Sequence, residues 1–146
     1  MDAFSLSDTY LLRGAAIGDI QSVEIISEAR SYEAGQPVVS EGDDSRDIMI
    51  VTEGRVRVKT RDGELLDELR RGDILGEIAF LDGKGRTANV TSLAESKILV
   101  IPADRLNDLM KANPKFAAIL LKNIALALCR RLRESNQQVE AFLVPR

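Results

Sequence analysis

Two oppositely charged residues, Glu77 and Arg86, lie in the stretch 76-GEIAFLDGKGRTANV-90, which has glycines near both charges and apolar residues at both ends. An arginine guanidinium can donate two parallel hydrogen bonds to a phosphate, whereas a carboxylate needs a hydrogen-bond donor such as a sugar hydroxyl. Gly76 allows the backbone to approach a ligand closely, and free N–H groups at the start of a helix favour an anion. These residue types therefore predict a site for a small phosphate that also carries a free sugar hydroxyl.

An ion pair between Glu77 and Arg86 that braces a loop is the competing interpretation, and residue types and spacing alone do not separate the two. The sequence contains neither the GxGxxG of dinucleotide-binding folds nor the Gly-Lys-Ser/Thr of a phosphate-binding P-loop. Ordinary NAD and ATP sites are therefore disfavoured.

The composition narrows the class of protein further. The chain has 146 residues, a net charge of −3, one cysteine and no histidine. The absence of histidine excludes Ser-His-Asp triads, Cys-His dyads and metal sites with histidine ligands. The acidic balance argues against nucleic acid as the main partner, and the sequence shows neither a membrane-spanning apolar run nor a secretion signal. We expect a cytoplasmic protein that is not an enzyme, holds no metal and has no direct nucleic-acid or membrane partner.

Hydrophobic spacing predicts a helical segment over residues 1–29. Its apolar repeat consists of Ile17, Ile20, Val23 and Ile26. The interval of three residues is typical of a helix that packs across the main body, with Asp19 as its candidate N-cap.

Between residues 30 and 102, glycines divide the chain into short runs of β-forming residues. These runs include 47-DIMIV-51, 55-RVRVKT-60, 64-ELLDEL-69 and 97-KILVIP-102. Strict alternation places Val56 and Val58 on one face of a strand, and the Arg-Asp-Gly at 61–63 predicts a hairpin turn. Many short strands without intervening helices indicate a β-sandwich or small barrel rather than a doubly wound nucleotide-binding fold.

Beyond Pro102, the pattern predicts a short helix at 104–111, a break near 113–114 and one long helix at 115–143. The apolar stripe of the long helix consists of Phe116, Leu120, Ile124, Leu128, Leu132, Val139 and Phe142. Ser135 interrupts this stripe. We expect the first half to pack on the protein's own barrel and the second half to pair with a second copy. Cys129 is expected to be a small buried side chain rather than a redox switch.

The stretch 76–90 resembles the phosphate-binding cassette of cyclic nucleotide-binding domains, whose pattern is Gly-Glu-aliphatic-Ala, a variable loop and Arg-(Ala/Ser/Thr)-Ala. The segment 35-GQPVVSEGDDSRDIMIVTEGRVRV-58 is similar to the opening strands of that family. The segment 126-LALCRRLRESNQQV-139 is similar to the dimerising helix of the bacterial catabolite activator group. The resemblance implies a mainly β fold with flanking helices, in which a jelly-roll (double-stranded β-helix) barrel carries an N-terminal helix and a long C-terminal helix. It also implies one domain over 1–146, with the β-roll at 30–102 and the dimerising helices at 103–146.

The resemblance implies roles for individual residues of the cassette. Arg86 is expected to neutralise a cyclic phosphate and Glu77 to accept from a ribose 2′-hydroxyl. Thr87 is expected to touch the phosphate and, with the nucleotide in the syn conformer, the purine amino group. The backbone residues expected to line the cassette are Gly76, Ile78, Ala79 and Ala88.

Outside the cassette, the resemblance implies that Val58 and Leu66 of the barrel wall pack on the ligand. Ser135 and Asn136 of the long helix are expected to face the base, and the gap in the apolar stripe at Ser135 gives this assignment separate support. For Arg131 two alternatives stay open, a side chain that reaches the pocket and a solvated helix charge.

The expected function is that of a regulatory sensor that binds a cyclic nucleotide, cAMP before cGMP, and signals by a shift of its long helix. It would act without a further cofactor, as a homodimer through the C-terminal helix, on an effector protein that the sequence does not identify. The alternative is a scaffold that keeps the fold and the dimer helix without a ligand. Because the sequence ends directly after the long helix, we expect no DNA-reading helix-turn-helix, and a transcription factor is disfavoured.

Overall fold

The computed structural model of the protein describes residues 4–143 apart from positions 41, 61 and 87, with side chains described up to residue 137. Two short 3-10 turns, Leu6–Asp8 and Tyr10–Leu12, precede the other elements. The strands are β1 (Glu28–Tyr32), β2 (Pro37–Val39), β3 (Ile48–Glu53), β4 (Arg55–Lys59), β5 (Leu65–Arg70), β6 (Ile74–Leu75), β7 (Asn89–Ser92) and β8 (Ser96–Ile101). The helices are α1 (Ile17–Ile26), α2 (Glu77–Asp82), α3 (Ala103–Ala112) and α4 (Pro114–Leu143).

The strands form two four-stranded antiparallel sheets that face each other as a β-roll. The order in the first sheet is β1-β8-β3-β6, and the order in the second is β2-β7-β4-β5. The apolar core between them receives Met49, Val51, Leu75, Ile98 and Val100 from the first sheet and Val39, Val56, Leu69 and Val90 from the second. The predicted mainly β jelly-roll with flanking helices is therefore confirmed.

The first sheet is covered on both faces along β3, which explains the uninterrupted apolar run at 48–51. Its outer face contributes Ile48, Ile50, Ile74 and Ile101 to a second core shared with the helices. The helices and 3-10 turns contribute Leu11, Leu12, Val23, Leu106, Phe116, Leu120 and Ile124 to the same core. A strand covered on both faces needs apolar residues at successive positions, whereas β4 of the second sheet keeps an alternating pattern.

Polar side chains tie the helical segments together at their ends. Asn113, between α3 and α4, links the start of α4 to α1: its Oδ1 accepts from the Phe116 N–H at 3.2 Å and its Nδ2 donates to Asp19 of α1 at 3.0 Å. The Asn123 amide donates to the carbonyls of Leu11 and Arg13, both at 2.9 Å, and so anchors the N-terminal turns on α4. None of the helices in the described part of the chain is long and apolar enough to span a membrane.

Three expectations for the N-terminal segment were wrong. Asp19 is not the N-cap of α1, because the helix begins at Ile17 with Ala16 at the cap, and the Asp19 carboxylate bonds to Asn113 instead. Ile17 is exposed rather than packed on the body, since only the side of α1 that carries Val23 meets the core. Strand β1 begins at Glu28, inside the segment predicted to be helical.

The expectation that Cys129 is buried was also wrong, since its side chain is exposed. Phe116, Leu120 and Ile124 occupy the side of α4 that faces the core, and Cys129 lies on the opposite side of the same helix. Leu132 belongs to the predicted apolar stripe but is 63% exposed, because the body of the protein does not cover this part of α4. Val139 and Phe142, the last members of that stripe, lie outside the residues whose side chains are described.

Candidate functional site

A cavity of about 390 Å³ lies between the second sheet, the segment 76–90 and the middle of α4. Apolar side chains of the roll form one side, while Glu77, Arg86 and Arg131 bring charges to it. Both the size and this mixture of an apolar wall with a few convergent polar groups are usual for small-molecule sites.

Gly76 makes the close packing of the segment 76–90 possible. Its φ of 90° lies in the left-handed region, and it forms the N-cap of α2, where its carbonyl accepts from the Phe80 N–H at 3.1 Å. A Cβ at this position would lie 2.4 Å from Nη1 of Arg86 and 2.5 Å from the carbonyl oxygen of Asp47. Only glycine therefore satisfies both the backbone conformation and the space.

Arg86 is a buried cation with one side of its guanidinium held by the loop 42–47. The side chain is 6% exposed, and Nη2 donates to the Asp47 carbonyl at 2.7 Å and to Oγ of Ser45 at 3.2 Å. Burial lowers the pKa of Arg86, and the carboxylates of Asp47, Asp43 and Glu77 oppose that shift. The guanidinium stays charged at neutral pH because its ordinary pKa is so high.

The remaining donors of Arg86 are unused among the described residues. Its Nε and Nη1 are buried and have no hydrogen-bond partner there. Leaving a buried charged donor unpaired costs free energy, so such groups usually mark a place where a ligand or water binds. Since Arg86 lines the cavity, an anion in that cavity is the chemically matched partner.

Glu77 is buried on the same cavity and forms an ion pair with Arg131 of α4 rather than with Arg86. Nη2 of Arg131 also donates to the carbonyl of Ile74 at 3.3 Å. The loop-bracing ion pair between Glu77 and Arg86 was thus the wrong alternative, and Arg131 is the side chain that reaches the pocket. Within the described residues Oε2 of Glu77 has no partner, so one carboxylate oxygen remains free to accept a hydrogen bond.

Tyr10 of the second 3-10 turn packs beside this ion pair, which the sequence did not suggest. Burial raises the pKa of its phenol to about 12, and the negative charge of Glu77 contributes to the increase. The guanidinium of Arg130 lies 5.8 Å from the centre of the Tyr10 ring, a cation–π distance. The N-terminal segment and α4 therefore meet near the ion pair between Glu77 and Arg131.

The structure brings most of the predicted site residues around one cavity. These are Val58, Leu66, Gly76, Glu77, Ile78, Ala79, Arg86, Ala88, Arg131 and Ser135. Asn136 is exposed on α4 and is not among the residues that line the cavity. Thr87 lies outside the described residues.

Sequence reasoning missed several residues of the site. Asp67 of β5 and Glu134 of α4 line the cavity, and Ser45 and Asp47 hold Arg86 from outside it. The charged composition of the loop 42–47 is typical of a solvated turn and gives no sign of a role at the site. Its contacts with Arg86 depend on residues about forty positions apart in the sequence, which no local pattern can reveal.

Comparison with known families shows which family the chain belongs to. The family model described as "Cyclic nucleotide-binding domain" matches residues 29–113, more than half of the chain. The chain belongs to the cyclic nucleotide-binding domain family. This fold is typically regulatory rather than catalytic, and the match supports a regulatory role that involves cyclic nucleotide binding.

Individual relatives of this cyclic nucleotide-binding domain are diverse. Glutaminase 2 of Bradyrhizobium diazoefficiens is 30% identical over 139 residues, which cover 95% of this chain and 22% of the relative. The cAMP-dependent protein kinase regulatory subunit of Eremothecium gossypii is 35% identical over 74 residues, 51% of this chain and 16% of the relative. The solved structure of the Thermus thermophilus catabolite activator protein superimposes with a TM-score of 0.77 at 25% identity, over 92% of this chain and 63% of that one.

These relatives differ in length and in activity. The chain spans only about a fifth of the length of the first curated relatives that it matches. What it shares with them is the domain, so the activity of any whole relative does not transfer with the match.

Proposed function

We propose that the cavity binds a cyclic 3′,5′-nucleotide, with cAMP as the first candidate and cGMP as the second, and that binding regulates an effector protein through α4. One observation carries the proposal. Arg86 and Glu77 are both buried on the same cavity, and each keeps unpaired hydrogen-bonding atoms within the described residues. A buried free cation and a buried free acceptor, side by side, match a ligand that joins a phosphate to a sugar hydroxyl.

The proposed roles follow from the donors and acceptors that remain. The Nε and Nη1 donors of Arg86 bind the cyclic phosphate, and Oε2 of Glu77 accepts from the ribose 2′-hydroxyl. The apolar wall that includes Val58 and Leu66 packs on the nucleoside. The remaining predicted residues have these proposed roles. The backbone lines the site at Gly76, Ile78, Ala79 and Ala88. The base contacts Ser135 and Asn136, and the phosphate contacts Thr87.

The position of α4 supports a signalling role for this helix. Arg131, Glu134 and Ser135 line the cavity from α4, so a bound nucleotide would contact the helix directly. A ligand shifts a conformational equilibrium only by the difference in its affinity for the two states. A ribose hydroxyl on Oε2 and Arg131 on Oε1 would share the carboxylate of Glu77, so a bound nucleotide would act on the ion pair that holds α4, which is one source of such a difference.

The exposed side of α4 supports the proposed homodimer. Leu121, Leu126 and Leu132 are 42%, 53% and 63% exposed. Ala118, Ala125 and Cys129 are exposed on the same part of the helix. A second copy of α4 would cover this face in a two-fold coiled coil. We expect light scattering to show a dimer, and Leu132→Asp to shift the protein to a monomer, while Arg105→Asp, at an exposed position of α3, leaves the dimer intact.

Calorimetric titration with cAMP and with cGMP tests the binding proposal. We expect micromolar or tighter binding of one of them. The variant Arg86→Ala is expected to weaken it at least roughly tenfold, since a hydrogen bond to a charged group contributes about 1.5–3 kcal/mol. The matched control is Arg105→Ala, which removes an exposed cation of α3 away from the cavity. Equal weakening by both variants would identify a general charge effect and contradict the assigned role of Arg86.

A ligand-free scaffold is the second candidate, and the ion pair between Glu77 and Arg131 favours it in one respect. This pair joins the roll to α4 without any ligand. The absence of heat and of a thermal shift with either nucleotide at millimolar concentration would support the scaffold. Binding that depends on Arg86 would exclude it.

A further inference from the structure

Asp47 makes two contacts that point in different directions. Its backbone carbonyl accepts from Nη2 of Arg86 at 2.7 Å, and its carboxylate Oδ1 accepts from the backbone N–H of Ala103 at 2.8 Å. Ala103 is the first residue of α3, so its N–H has no partner within that helix. A carboxylate at this place also opposes the positive end of the helix dipole. One residue therefore holds both the cavity's arginine and the start of a helix.

The loop 42–47 forms hydrogen bonds with both the main chain and the side chain of Arg86. The N–H of Gly42 donates to the Arg86 carbonyl at 3.0 Å, and the Arg86 N–H donates to the Asp43 carbonyl at 3.0 Å. Oγ of Ser45 accepts from Nη2 of Arg86 at 3.2 Å. Four hydrogen bonds thus hold Arg86 against this loop, and Asp47 is the residue of the loop that contacts α3.

From α3 the path continues back to the cavity. Asn113 follows α3 directly and caps α4, where its Oδ1 accepts from the Phe116 N–H. Further along α4, Arg131 pairs with Glu77 across the cavity. Arg86 and Glu77 are therefore also connected by a path outside the cavity, which runs through Asp47, α3 and α4.

We propose that Asp47 is a positioning residue that couples occupancy of the cavity to the position of α3. The inference rests on the proposed function, because it assigns the anion that Arg86 binds to a cyclic nucleotide. Linkage requires the coupling to act in both directions: the bond from Asp47 to α3 strengthens nucleotide binding, and bound nucleotide strengthens that bond. Asp47 itself does not line the cavity and has no role in touching the ligand.

The test combines affinity with a local reporter at Ala103. Affinities for cAMP are measured by calorimetry for the wild type, Asp47→Ala, Asp47→Asn and Asp44→Ala. We expect Asp47→Ala to bind about tenfold more weakly, near the lower end of the range for coupled sites. Asp47→Asn keeps an oxygen that can accept from Ala103, so it is expected to recover most of the affinity. Asp44→Ala removes an exposed carboxylate of the same loop and is expected to leave the affinity unchanged.

The local reporter is read in the wild type and then in Asp47→Ala. We expect saturating cAMP to shift the Ala103 amide resonance of the wild type and to slow its hydrogen exchange, and Asp47→Ala to abolish both changes. A purely structural role for Asp47 would lower stability without making the Ala103 amide respond to ligand.

The outcomes separate this inference from the proposed function. An unresponsive Ala103 amide in a wild type that binds cAMP would overturn the coupling alone, and so would a folded Asp47→Ala variant with wild-type affinity. If the wild type binds neither cAMP nor cGMP, the proposed function and the coupling both fail.

Discussion

The cavity has two charged walls, one formed by the segment 76–90 and one by α4. They hold their charged side chains in different ways. Arg86 is buried and fixed by four hydrogen bonds to the loop 42–47, three of which use main-chain atoms of that loop. Arg131 is 43% exposed and reaches the cavity from a helix that leaves the body of the protein at about the same place. The first wall is therefore the more rigid one, and a less firmly held second wall is what the proposed sensor function requires.

The largest effect is expected at the rigid wall, from Gly76→Ala. The substitution combines a strained φ of 90° with a Cβ that would overlap Arg86 and the Asp47 carbonyl. We expect the free energy of unfolding to fall by about 4 kcal/mol, the sum of backbone strain and overpacking.

The matched control is Gly63→Ala. Gly63 has a similar φ of 85°, but nothing lies within 4 Å of its added Cβ. Denaturant unfolding should therefore show a loss of only about 1 kcal/mol for this variant. Equal losses at the two glycines would mean that the close packing at Gly76 is not important for stability.

The next prediction compares the two halves of α4. Leu120 is fully buried in the core shared with the first sheet, whereas Leu132 is largely exposed. Leu120→Ala should lower the free energy of unfolding by about 3 kcal/mol because it leaves a cavity. Leu132→Ala should change it by less than about 0.5 kcal/mol when the protein is dilute enough to be monomeric. Chemical denaturation at several protein concentrations measures both, and a large loss for Leu132→Ala in the monomer would contradict the division of the helix.

Arg131→Met tests the contact between the two walls. Glu77 is only 1% exposed, and the substitution would leave its carboxylate buried without its cationic partner. We expect a loss of about 2 kcal/mol in unfolding free energy, less than for a fully buried pair because Arg131 is partly solvated. Arg133→Met, which removes an exposed cation nearby, is the control and should have little effect. If Glu77→Gln restores the stability of Arg131→Met, the loss comes from the unpaired charge.

The smallest effect is a pH dependence from Tyr10. The folded-state pKa of about 12 lies above the ordinary value of 10.0, so the neutral phenol is favoured by folding. Its contribution is present below pH 10 and is lost as the pH rises towards 12, because the unfolded chain releases the proton first. We expect the wild type to lose about 1–2 kcal/mol more than Tyr10→Phe over that window. Parallel stability curves for the two proteins would show that Tyr10 is not desolvated.

Patterns carried by neighbouring residues were predictable. The run 48–51 corresponds to β3, the alternation at Val56 and Val58 to β4, and the break at Asn113 to the boundary between α3 and α4. The cassette was predictable for the same reason, since Gly76, Glu77 and Arg86 lie close together in the chain and their chemical types are specific. Local spacing is enough to indicate a strand, a helix or a compact motif, because each depends on short-range geometry.

Exposure was harder to predict than secondary structure. The periodicity of α4 predicts an apolar stripe, but it does not show where the body of the protein ends beneath it. Cys129 and Leu132 are exposed because only part of the helix surface meets the core. Which side of a helix is covered depends on packing between distant segments, and a second copy of the chain would cover a further side of α4.

The sequence by itself determined that this is a mainly β domain with helices at both ends, and it singled out Glu77 and Arg86 as candidate site residues. Tertiary structure alone decided that Glu77 pairs with Arg131, that Asp47 and Ser45 hold Arg86, and that Tyr10 lies near the ion pair. The physical reason is the range of the interactions. Backbone geometry and side-chain type act between neighbours in the chain, whereas ion pairs and burial depend on which distant segments the fold brings into contact.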